Sequence, residues 1–165
     1  MIRSGVSISS LLIPLYLQSK KYLDNPCLYI SFFFEKNRDL YYQKLNDVRI
    51  KNDIKGWIKF FLEGIIETAN IAKEKFKSVV ELTKKIDNEI TNLKVKYDNA
   101  KKIIDYFYDE PYSSRKKIIE NLGIPESTVK GVVSELQKSG ILKEITGYSR
   151  NQIFVFSEYV DIFLT

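Results

Sequence analysis

IKFFLEGIIETANIAKEKFKSVVELTKKIDNEITNLKVKYDNAKKIIDYF, residues 58–107, places an apolar or neutral residue at alternating steps of four and three. The stripe reads Ile58, Leu62, Ile65, Ala69, Ala72, Phe76, Val79, Thr83, Ile86, Ile90, Leu93, Tyr97, Ala100, Ile104, Phe107. This is the seam of a heptad repeat. No Pro or Gly interrupts it between Gly64 and Pro111, so nothing in the backbone forbids helix there. The remaining positions are mostly Lys, Glu, Asp and Asn, as on a helix with one buried and one wet face. The pattern predicts a long helix over 53–97, roughly 65 Å at the usual rise per residue. One small core cannot cover that length. The stripe must meet another helix, from the same chain as a bundle or from a second copy as a homodimeric coiled coil.

The 165 residues suffice for one domain or two small ones, and 44% hydrophobic residues suffice for a core. Net charge is +5, which permits an anionic partner without demanding one. The charge is uneven: residues 1–97 carry 17 Lys/Arg against 11 Asp/Glu, and residues 98–165 carry 9 against 10. The single cysteine, Cys27, excludes an intrachain disulfide framework and fits a reducing cytoplasm, where it reads as a small core residue. There is no histidine. That removes Ser-His and Cys-His nucleophile pairs and His-containing zinc sites together, and with one cysteine no thiolate cage is possible. No metal and no cofactor are expected, and the composition argues against an enzyme.

The apolar run Leu11–Leu17 is too short to span a bilayer, and Gln18-Ser19-Lys20-Lys21 offers no signal-peptide cleavage site. It reads as a buried helix, with no membrane association. Asp24-Asn25-Pro26 reads as a turn. Ser31 reads as an N-cap for a helix Phe32–Val48 that shows Phe33, Phe34, Leu40, Tyr41, Leu45 and Val48 on one broad face. Asp53 can cap the long helix, and Trp57, Phe60 and Phe61 read as core. Glu35 and Asp39 read as surface carboxylates.

The segments Leu11-Leu12-Ile13-Pro14-Leu15-Tyr16-Leu17, Pro26-Cys27-Leu28-Tyr29-Ile30-Ser31, Phe34-Glu35-Lys36-Asn37-Arg38, Tyr41-Tyr42, Val48-Arg49 and Trp57–Ile65 together resemble the C-terminal half of the Fic family. That resemblance implies a helical scaffold from a family that transfers AMP to hydroxyl side chains of proteins. Fic chemistry uses a histidine and a Gly-rich, Arg-ended loop directly before the Leu-Leu-Ile-Pro segment, where backbone N–H groups cradle phosphate. The matching register here is Ser4-Gly5-Val6-Ser7-Ile8-Ser9-Ser10, with Ser7 and Ser10 where the arginines belong. The histidine would fall before Met1. No Fic catalytic residue carries over, and the expectation is a non-catalytic chain, or the scaffold half of a split adenylyltransferase served by a separate Fic catalytic piece.

Beyond the long helix, Asp98 and Asn99 can cap a helix Ala100–Tyr108 that Glu110-Pro111 ends. Ser113 or Ser114 can cap Arg115–Asn121, with Ile118, Ile119 and Leu122 facing inward. Gly123 turns the chain, Pro125 opens a helix Glu126–Ser139, and Gly140 closes it. Val129, Val132, Val133 and Leu136 form its apolar side. Two strands, Ile141–Thr146 and Gln152–Phe156, then flank a loop, and Glu158–Leu164 reads as a terminal helix. Leu122–Val129, Leu136–Leu142 and the loop Thr146–Gln152 resemble a winged helix-turn-helix. The expected fold is therefore mainly α: a helical scaffold over 1–97 and a winged helix-turn-helix with a small β-hairpin wing over 98–165.

That resemblance implies double-stranded DNA as partner and transcriptional regulation as role. The third helix would enter the major groove, bringing Ser127, Thr128, Lys130 and Ser134 to bases or phosphates. Arg115, Lys116 and Lys117 would meet backbone from the second helix. Lys143, Tyr148 and Arg150 would grip phosphates, or the minor groove, from the wing. Residues 113–150 hold 7 Lys/Arg against 4 Asp/Glu, so this part is locally basic. Gly131 stands where a long base-reading side chain is expected, and Lys130 is the one cation on the reading face. Winged helices also serve as protein-interaction or dimerisation modules, and that reading stays open. A homodimer through the long helix would hold two reading heads on a roughly palindromic site.

Overall fold

The computed structural model describes residues 15, 16, 18–22 and 30–164. Its elements are α1 (Ile30–Lys36), α2 (Arg38–Lys51), α3 (Ile54–Thr91), α4 (Tyr97–Asp109), β1 (Tyr112–Ser114), α5 (Arg115–Leu122), α6 (Glu126–Lys138), β2 (Lys143–Glu144), β3 (Ile153–Val155) and α7 (Ser157–Leu164). The fold is mainly helical, with a long helix and then a helix-turn-helix bearing a small sheet. Contacts divide the chain into two compact units, Met1–Glu74 and Lys75–Thr165, a division within α3 rather than at residue 97. The Ser4–Ser10 register and Cys27 lie outside the described residues. Of the Leu11–Leu17 run, Leu15 and Tyr16 are described, both helical and both exposed. Among the described residues no helix is long and apolar enough to cross a membrane.

In the first unit an aromatic cluster holds α1 on α3. Ile30, Phe33, Phe34 and Phe60 are buried, with Trp57, Tyr41, Phe61 and Ile65 packed around them. The rings of Phe33 and Phe60 lie 5.1 Å apart and those of Phe34 and Tyr41 4.8 Å apart. The core reading of Trp57, Phe60 and Phe61 therefore holds. The single helix expected over Phe32–Val48 is instead two, starting at Ile30 and broken at Asn37. There the Asn37 amide donates to the Phe33 carbonyl from both its backbone N and its side-chain Nδ2, each at 3.0 Å. α2 buries no residue, and Leu40 and Leu45 are exposed.

Asp53 caps α3, its Oδ1 accepting from the Gly56 amide at 3.0 Å. Gly64 allows α1 to approach: a Cβ there would sit 2.5 Å from the Phe33 ring and 2.9 Å from Ile30. Gly64→Ala is thus expected to destabilise this unit by about 1–3 kcal/mol through overpacking. Urea unfolding followed by the fluorescence of Trp57, the one tryptophan, measures it, and an unshifted midpoint would contradict the packing.

The second unit has one core. Leu82, Ile86 and Ile90 of α3 meet Ala100, Ile103, Ile104 and Phe107 of α4, Ile118 of α5, Val129, Val132, Val133 and Leu136 of α6, and Phe154 and Phe156 of the β3 region. The stripe does run unbroken in sequence from Ile86 to Phe107, yet the long helix stops at Thr91 and not at 97. The Asn92 and Leu93 amides fold back onto the carbonyls of Glu89 and Ile90, three residues behind, a tightening typical of helix ends. Leu93 and Val95 then pack on the core, so burying the turn between α3 and α4 wins over helix continuation. The start of α4 also shifts: Lys96 is its N-cap, without a side-chain cap bond, and Asp98 lies in its first turn.

Lys101 locks the α3–α4 pair, 2.9 Å from Asp87 and 3.0 Å from Asp105. Burial opposes its charge, but the bonds to Asp87 and Asp105 outweigh it and hold the ammonium above its usual range. α7 covers the same unit: Glu158 pairs with Lys85 at 2.6 Å, and Tyr159 lies 5.1 Å from Tyr108 and 5.8 Å from Phe156.

The sheet is three-stranded and antiparallel, in the order β1-β3-β2. The expected wing hairpin is present, with shorter strands, but β1 is an addition. It pairs Tyr112 with Val155 and Ser114 with Ile153. Ser113 points inward and shares a hydrogen bond of 3.0 Å with the Tyr106 hydroxyl, which satisfies it where it is buried.

Candidate nucleic-acid interface

Three helices build the site from short-range signals. Ser114 caps α5, its Oγ accepting from the Lys117 amide at 3.3 Å, while Gly123 ends the helix with a φ of 62° that disfavours any other residue. Ile124 is buried and anchors the turn. Pro125 then starts α6, its carbonyl accepting from the amides of Thr128 and Val129. The apolar side of α6, Val129, Val132, Val133 and Leu136, is fully in the core, so its opposite side faces solvent by necessity. Ser127, Lys130 and Gly131 are exposed on it, and Thr128 and Ser134 are half-buried at its edges.

The wing is organised by one carboxylate. Glu144 accepts from the amide of Thr146 at 2.7 Å, from that of Gly147 at 3.1 Å, and from the Thr146 hydroxyl. The Thr146 hydroxyl chiefly, with those two amides and nearby Arg115, holds the carboxyl below the usual range. A depressed folded-state pKa stabilises the wing above the ordinary glutamate range, and the contribution is lost as pH falls through the folded value. Glu144→Ala removes the acceptor at all pH values. Its expected result is faster amide exchange at Thr146 and Gly147 and weaker DNA binding, with little change in thermal midpoint. Exchange at neutral pH matching the wild type would contradict the role.

The basic residues fall into two groups. Arg115 is half-buried: its Nη1 donates to Gln152 at 2.7 Å, and its guanidinium carbon sits 4.6 Å from the centre of the Phe154 ring. It therefore braces the wing against α5. Lys116 is exposed and 3.8 Å from Glu120, and Lys138 pairs with Glu135 at 2.7 Å. Lys117, Lys130, Lys143 and Arg150 are exposed and form no ion pair among the described residues. Tyr148 is 67% exposed at the wing tip. With Glu144 turned into the wing, Glu120 near Lys116 and Glu135 held by Lys138, Glu126 is the acid left exposed at the start of α6.

Sequence reasoning missed Glu144 and the Arg115–Gln152 brace. The offset between Glu144 and Gly147 is a signal for a local turn, since short polar side chains and nearby carboxylates often satisfy turn amides. The brace spans 37 residues and has no local signal. Among the described residues no group of His, Cys, Asp and Glu could hold a metal ion. The arrangement built here, three helices followed by a strand, meets a known family: residues 98–143 match the family model described as Winged helix-turn-helix DNA-binding.

Proposed function

We propose that the chain binds duplex DNA through this winged helix and regulates transcription in the cytoplasm. α6 lies in the major groove, where Ser127 and Lys130 reach bases or phosphates, and the wing carries Lys143, Tyr148 and Arg150 to the adjoining backbone. The observation that carries the reading is four exposed cations on α5, α6 and the wing, Lys117, Lys130, Lys143 and Arg150, which form no ion pair among the described residues, in a chain whose residues 98–143 match a DNA-binding family. Phosphate contacts of this kind supply much of the affinity of such interfaces.

The finer parts of the proposal concern the first unit. Its resemblance to a Fic scaffold, together with a chain free of histidine, supports a non-catalytic role. Ile54, Ile58, Leu62 and Ile66, four apart on α3, are each about half exposed or more, and this row supports a homodimer through the long helix, with two reading heads on a roughly palindromic site. The test is selection of bound fragments from the source genome by the wild type and by a Lys130→Ala/Arg150→Ala variant. A short recurrent site that the variant loses supports the proposal; equal weak enrichment by both proteins overturns it.

A further inference from the structure

The described glycines divide by what they need. Gly56 and Gly64 have neighbours that a Cβ would strike, and Gly123, Gly140 and Gly147 have positive φ. Gly131 has neither: it sits in the interior of α6, its φ is ordinary, and a Cβ there would meet nothing within 4 Å. Glycine is the least favourable residue of a helix interior apart from proline, so alanine here would stabilise the fold without touching any neighbour. The fold gives no reason for this glycine. The reason must lie outside it, on the side of α6 that faces solvent between exposed Ser127 and Lys130 and half-buried Ser134.

We infer that Gly131 is the point of closest approach between α6 and DNA, where the helix backbone sits directly against the groove and leaves no room for a side chain. This inference rests on the DNA-binding proposal and specifies how that interface reads sequence. Without a Cβ, the helix sinks deeper, and short groups at Ser127 and Ser134 come within reach of base edges that a long residue at 131 would hold away. A stretch with a long residue at this position would read bases through it; this chain would read them by backbone proximity and shape.

The test is Gly131→Ala in the full chain, with Gly131→Arg and Lys130→Ala beside it. Binding is measured by fluorescence anisotropy on the most enriched genomic fragment and on a mixed-sequence duplex. Gly131→Ala is expected to raise the thermal midpoint by a few degrees and to weaken binding to the enriched fragment about tenfold or more. The dependence of binding on salt should not change, because no cation is lost. Affinity unchanged in Gly131→Ala overturns the inference, as does tighter binding by Gly131→Arg, which would mark a vacant reading position. A lowered midpoint in Gly131→Ala overturns it too, since the glycine would then serve the fold. Failure of the DNA reading itself is distinct: there the wild type enriches no fragment and Lys130→Ala is indistinguishable from it.

Discussion

Phe107→Ala is expected to cost the second unit about 3–5 kcal/mol, the usual range for deleting a buried phenyl ring. Phe107 is 0% exposed and lies where α3, α4, α5 and α6 share one core. Typical domains are stable by only about 5–15 kcal/mol, so one such loss removes a large part of the total. Ile86, Ile103, Ile104 and Ile118 of the same core are themselves fully buried, and β-branched side chains close poorly over a cavity. Urea unfolding followed by circular dichroism should show a much lower midpoint, with DNA binding lost in parallel. Tyr148→Ala is the control. Its ring is 67% exposed, so the midpoint should barely move while DNA binding weakens. A Phe107→Ala protein that unfolds at the wild-type midpoint would contradict the core described here.

Raising salt should weaken DNA binding steeply. The four cations proposed to meet phosphate, Lys117, Lys130, Lys143 and Arg150, each displacing about 0.9 counterion from duplex DNA, predict a loss of about 100-fold between ~50 and ~200 mM salt. Replacing any one of Lys117, Lys130, Lys143 or Arg150 with alanine should make the slope shallower by about one unit. Arg115→Ala should behave differently, because Arg115 is engaged with Gln152 and Phe154. Its effect should appear as a loosened wing rather than as a changed slope. Anisotropy titrations at several salt concentrations separate the two. A slope near twice the expected value would show two heads bound together, and a flat one would contradict the phosphate contacts.

The parts legible in the sequence are those set by neighbours in sequence. Gly123, Pro125 and Gly140 punctuate the helix-turn-helix, and Val129, Val132, Val133 and Leu136 mark the buried side of α6 by spacing alone. The aromatic core at Trp57, Phe60 and Phe61 was legible for the same reason. The end of the long helix was not. The four-three spacing continues from Ile90 through Leu93 and Tyr97 to Ala100, with no Gly or Pro to mark the turn, so periodicity carries the expected end of the long helix to residue 97, beyond the observed end at Thr91.

β1 was illegible because three residues carry no alternation, and because Ser113 is buried through its bond to Tyr106, a tertiary cause. Within the candidate site, exposure of Ser127, Lys130, Lys143, Tyr148 and Arg150 followed from position on helix and wing. The inward turn of Arg115 did not, since it depends on Gln152 far along the chain.

Amide chemical-shift mapping of the labelled protein titrated with duplex DNA shows directly whether α6 and the wing form the DNA-binding face. Perturbations are expected to concentrate at Ser127–Ser134 of α6 and at residues 146–151 of the wing, with smaller shifts at the start of α5. Perturbations confined to α3, or none at concentrations that saturate ordinary non-specific binding, would contradict it.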